Sequence, residues 1–129
     1  MSDKPQFSVC LSDFITLVTE AQRDYQWNYE EVNRLDHLTQ DYLHELELDG
    51  LDYRGRAKVA TQLRDCRQLR RASKDTVEVL EPLMEFLNSE KGKHLLNLLR
   101  ETLGKTRRVE QYMENRSYRR KVLQDNNET

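Results

Sequence analysis

Arg64, Arg67, Arg71 and Lys74 follow one another at steps of three, four and three within the stretch RDCRQLRRASKD, residues 64–75. That spacing lines four cations along one face of a helix. Arginine presents a planar fork of donors that fits phosphate or carboxylate, so the stripe meets either acids of its own chain or an anion from outside. Trp27 and Tyr29 lie about one helical turn from the acids expected opposite Arg71. An aromatic face beside a guanidinium can stack a base, and the more ordinary use of these rings is to complete a core or an oligomer contact. His37, Asp41 and His44, at steps of four and three, could offer a metal two imidazoles and a carboxylate. No further ligands accompany them, and solvated side chains on an acidic face are the ordinary result.

Little else in the chain is built for chemistry. The four glycines form no phosphate loop and no serine sits in a strand-turn-helix elbow, so neither catalysis nor a cofactor is expected. Cys10 and Cys66 have neither a close metal spacing nor an even-numbered framework, and they read as free thiols of a reducing compartment. The N-terminus lacks a basic patch followed by an apolar run, and no stretch approaches a membrane span. A soluble cytoplasmic protein is the expectation.

The residues above need helices to position them. Glycine and proline are absent between Gln6 and Asp49. Across that interval Phe14, Val18, Ala21, Tyr25, Asn28, Val32, Leu35, Thr39, Tyr42 and Leu46 alternate steps of four and three, the seam of a coiled coil. The pattern predicts an all-α fold as one domain, 1–129. A long acidic helix spans 12–49, capped by Ser12 or Asp13 and stopped by Gly50. A second seam through Val59, Leu63, Cys66, Arg70, Ser73, Val77, Leu80, Met84 and Leu87 predicts a basic helix over 52–88, capped by Asp52 and kinked near Pro82. Two such helices joined by a short turn form an antiparallel hairpin. Asn88 to His94 reads as a turn, followed by a leucine-rich helix ended by Gly104 (89–104), the most buried of the three. Residues 105–129 read as a basic tail holding a further short helix, with its end disordered. The hairpin is too narrow to bury all its aromatic residues, so a homo-oligomer is expected.

Charge is strongly polarised beneath the net of −2. Residues 1–52 carry 3 basic and 12 acidic side chains, whereas residues 53–74 carry 8 basic and 1 acidic. Packing of one helix on the other would pair these charges and fix the register. With the turn centred near Gly50, partner numbers sum to roughly 101. Arg70 and Arg71 then fall near Glu31 and Glu30, and Arg54 and Arg56 near Glu47 and Glu45. Arg67 falls beside Arg34, so positive charge is left over in the middle of the stripe. Asn28, Arg70 and Ser73 stand at one height and read as a buried polar layer that fixes register. The candidate ligand site is therefore Arg34, Arg64, Arg67, Arg71, Lys74 and Trp27.

The stretch LDYRGRAKVATQLRDCRQLRRASKDTVEVLEPLMEFLNSEKGKHLLNLLRETLGKTRRVEQYMENRSY resembles a family of small helical proteins of phages and prophages of Gram-positive bacteria. The resemblance covers most of the chain from Val32 onward and lies in the overall pattern, with no ligand or catalytic residues to carry over. It implies an accessory of replication and recombination, or an inhibitor of host defence, acting in the host cytoplasm. Three binding roles follow as expectations. The first is sequestration of a small anionic ligand, such as an immune signalling nucleotide, by the arginine stripe. The second is engagement of a protein partner by the acidic helix. The third is contact with nucleic acid through the basic tail, against which stands the repulsion of a large acidic surface.

Overall fold

In the computed structural model, which describes residues 6–116, three α-helices follow one another: α1 (Phe7–Leu48), α2 (Tyr53–Asn88) and α3 (Glu90–Glu114). The fold is all-α. The expected disorder of Gln124 to Thr129, and the tail cations Arg119, Arg120 and Lys121, lie outside the described residues. No helix among the described residues is long and apolar enough to cross a membrane.

The turn between α1 and α2 forms as its residue types dictate. Gly50 takes a positive φ of 37°, a conformation that a side chain would strain, directly after the Asp49 cap. The Asp52 carboxylate accepts from the Gly55 amide at 2.7 Å and caps α2. α1 and α2 then pack antiparallel along the two expected seams. Leu35, 1% exposed, is the most deeply buried side chain, and Val59, Cys66, Ser73, Met84 and Leu87 are buried on α2. α2 runs as one continuous helix through Pro82, so the proline does not end it. Pro82 is exposed, so the backbone carbonyl that loses its partner lies on the side where water can replace it.

Three expectations about the ends of helices are overturned. α1 starts at Phe7, ahead of the expected Ser12 or Asp13 cap, although its N-cap Gln6 makes no side-chain cap bond. The cap comes from another helix: Glu110 of α3 accepts from the Ser8 amide at 3.1 Å, meeting an unpaired donor and the positive end of the helix dipole. The expected turn from Asn88 to His94 contracts to the single residue Ser89, which ends α2 and caps α3 by accepting from the Gly92 amide at 3.1 Å. Gly104 does not stop α3, which continues ten residues further to Glu114 and takes up the first part of the expected tail. Packing against α1 sustains it, through Arg107 donating to Ser12 at 3.3 Å and Gln6 donating to Glu114 at 3.0 Å. These contacts order α3 antiparallel to α1. The leucine-rich helix is also not the most buried, since Leu95 and Leu98 are exposed and only Gly92 and Leu103 are buried.

At the junction, Val18, Met84 and Leu87 form a buried cluster against which Ala21, Tyr25, Leu83 and Leu96 pack. Gly92 allows this approach: a Cβ there would stand 1.9 Å from the Phe86 carbonyl oxygen. Gly92→Ala is therefore expected to lower the melting temperature sharply by forcing α3 off α2. Gly104→Ala, where the nearest atom is a flexible Arg108 nitrogen 4.0 Å away, is expected to raise stability by about 0.5–1 kcal/mol. Thermal denaturation followed by circular dichroism checks both, and equal effects at the two glycines would contradict this account.

Candidate functional site: the arginine face of the second helix

The register is set where Cys66 seats between Leu35 and Thr39. Its sulfur lies 3.4 Å from the Leu35 carbonyl oxygen and 3.5 Å from the Thr39 hydroxyl, which itself donates to the Leu35 carbonyl at 2.8 Å. This is the buried polar contact across the seam. The expected layer of Asn28, Arg70 and Ser73 does not form as a unit. Asn28 donates to the Asp24 carbonyl of its own helix at 2.8 Å, Arg70 reaches Asp36, and of the three only Ser73 is buried.

Asp36, which lies near the middle of the stripe, is the counter-ion there in place of the expected Glu31. It accepts from Arg70 Nε and lies 3.8 Å from Arg67, so two guanidiniums share one carboxylate. The expected partners Glu30 and Glu31 are engaged within α1 instead, with Gln26 and Arg34 respectively. The reason is directional. Side chains lean toward the N-terminus of their own helix, so Arg70 reaches back toward the turn and meets an acid about one helical turn nearer to it than backbone register suggests. Arg54 and Arg56 form no ion pair with Glu47 or Glu45 among the described residues.

The six candidate residues do not form one site. Arg64, Arg67 and Arg71 line a shallow concavity of about 350 Å³ together with Gln68, a residue the cation count alone could not single out. Lys74 lies one turn on, in a neighbouring groove of about 310 Å³ with Tyr29, Val32 and Asn33. Arg34 is elsewhere: it stands two residues from Asp36, about 200° around α1, and bonds Glu31 with both Nε and Nη2. That bond holds the Glu31 carboxyl below its ordinary range, with the nearby charge assisting and burial opposing. The small stabilisation it carries is present above the ordinary carboxylate pKa and is lost as pH falls through the lowered one. Trp27, 61% exposed, is on the same outer side of α1 as Arg34, one heptad away, and does not face Arg71. The ring that does approach the stripe is Tyr29, stacked on Tyr25 with centroids 6.1 Å apart.

Within the stripe the cations differ. Arg64 pairs with its exposed neighbour Asp65 at 3.2 Å, and Arg67 shares Asp36. Arg71 and Lys74 have no ion pair among the described residues. No group of three His, Cys, Asp or Glu side chains able to hold a metal occurs among the described residues, and His37, Asp41 and His44 do not converge. Both cysteines are free thiols, Cys10 exposed and Cys66 buried. At the end of α3, Arg108, Gln111, Tyr112, Asn115 and Arg116 line an open concavity of about 500 Å³. No family model, curated protein or solved structure matches this chain.

Asp36→Asn is expected to destabilise the fold by about 1 kcal/mol, because it leaves the half-buried Arg70 without its carboxylate. Arg64→Gln, which removes only an exposed pair, is expected to stay within about 0.5 kcal/mol of the unaltered protein. Urea denaturation of the two variants measures both, and a larger loss for Arg64→Gln would reverse the roles assigned here.

Proposed function

We propose that this is a non-catalytic binding protein that sequesters a phosphate-bearing ligand on the arginine face of α2, as a phage accessory in the host cytoplasm directed against host defence. The carrying observation is that Arg71 and Lys74 stand without counter-ions among the described residues, beside the Arg64 and Arg67 concavity. Arg67 and Arg70 divide a single carboxylate between them, so a phosphate arriving at this face meets guanidinium donors that the protein leaves incompletely matched. A local site of this kind also avoids the repulsion that the acidic α1 would impose on a long polyanion. An immune signalling nucleotide fits the chemistry: phosphate on the guanidinium fork, and a base against the Tyr29 ring in the adjoining groove. Trp27 and Arg34, displaced to the other side of α1, are not part of this ligand site.

A second reading rests on Trp27. Its exposed ring sits on α1 among Glu20, Asp24 and Glu31, all within one or two turns on the same side. A large exposed aromatic beside Glu20 and Asp24, with Glu31 already held by Arg34, suits a protein partner that brings an apolar pocket and a rim of polar groups.

Calorimetry against cyclic and linear nucleotides, with single-stranded DNA as control, tests the first reading. Saturable heat with a nucleotide is expected, at least tenfold weaker in Arg71→Gln/Lys74→Gln, with an unchanged melting temperature. Binding that survives in that variant, or no heat with any nucleotide on folded protein, defeats the ligand reading. Loss of binding to a host protein on Trp27→Ala would then support the second.

A further inference from the structure

At about 100° per residue, α2 presents three faces roughly 120° apart. One carries the buried seam against α1, and the second carries the arginine stripe. The third carries Leu69, Ala72, Thr76, Val79, Leu83 and Phe86, at steps of three, four, three, four and three. This is a second apolar seam with coiled-coil spacing, and nothing within the chain covers most of it. Leu69, Val79 and Phe86 are 58%, 76% and 44% exposed. Thr76 belongs to it by its methyl group, because its hydroxyl is spent on the Ala72 carbonyl at 3.2 Å. Such spacing is what a further helix packs into, knobs into holes.

The order of the side chains identifies that helix. Read inward from its two ends, the strip pairs Leu69 with Phe86, Ala72 with Leu83 and Thr76 with Val79 about one centre. A second copy laid antiparallel on the strip therefore sets Leu69 against the partner's Phe86, small Ala72 against larger Leu83, and Thr76 against Val79. This is the self-complementarity that a twofold interface requires. Charge along α2 reverses about the same centre. Residues 64–74 carry Arg64, Arg67, Arg70, Arg71 and Lys74 against Asp65 alone, while residues 78–88 carry Glu78, Glu81 and Glu85 and no cation. Antiparallel packing sets the basic half of each helix beside the acidic half of the other, whereas parallel packing would set like against like. At the Phe86 end an apolar groove of about 70 Å³, lined by Phe14, Phe86, Leu95 and Leu99 among others, opens where the partner's Leu69 arrives.

We infer that this strip is a homodimer interface, in which two copies of the chain pack α2 against α2 antiparallel about a twofold axis between Thr76 and Val79.

Light scattering of the full chain is expected to give twice the 15.5 kDa of one chain. Val79→Asp, at an exposed position, is expected to return the mass to that of one chain with unchanged helical circular dichroism. Cross-linking reads the register. In a Cys10→Ser background, chains carrying Leu69→Cys mixed with chains carrying Phe86→Cys should form a disulfide on mild oxidation, and either variant alone should not. A mass other than twice one chain, a Val79→Asp protein that keeps the mass of two chains, or disulfides formed within either variant alone would overturn the proposal.

Discussion

The register of α1 against α2 is fixed where Cys66 fills the space between Leu35 and Thr39, one turn apart on the facing helix. A thiol is small enough to enter and polar enough to sit beside a carbonyl and a hydroxyl without leaving either unmatched. A slip of α2 by one turn would drive Arg70 or Leu63 into that position. Everything along the hairpin inherits its height from this contact, including the sharing of Asp36 by Arg67 and Arg70 and the exposure of Arg71 and Lys74. The acid on α1 that neutralises part of the stripe, and the cations it fails to reach, are consequences of one buried fit.

α2 is the helix that does most of the organising, because each of its three faces has a different chemistry. The apolar seam holds α1, the guanidinium face remains available to anions, and the exposed apolar strip stays unpaired within the chain. A helix of 36 residues with so little of its surface buried draws limited stability from α1 along its seam and α3 at its end. Uncovered Leu69, Val79 and Phe86 are therefore an energetic debt in the isolated chain, which the proposed dimer would remove.

α3 shows how a weak local signal yields to tertiary contacts. Glycine at 104 disfavours a helix, and no good cap is available at the start of α1. The two elements remedy each other. α3 extends past Gly104 so that Glu110 and Glu114 reach Ser8 and Gln6, and α1 begins early because Glu110 is there to receive its amide. At the other end, Gly92 is needed for the opposite reason: the backbone of Phe86 occupies the space a side chain would take.

The helices, the two seams and the turn follow from residue types and their spacing alone. Apolar side chains at coiled-coil spacing over such lengths leave no other way to be buried, while Gly50 and Asp52 supply the backbone conformation and the cap that a tight turn demands. Spacing alone also places four cations on one face of α2. Only the tertiary structure decided which acids those cations meet, because partner choice depends on the lean of side chains as well as on backbone height: Arg70 reaches Asp36 where position alone points to Glu31. Height along the hairpin places Trp27 and Arg34 level with the stripe, and their rotation about α1 takes them away from it. The limits of α1 and α3 were likewise decided in three dimensions, since the cap that starts one is a carboxylate brought by the other from about a hundred residues away, a distance over which local propensity carries no information.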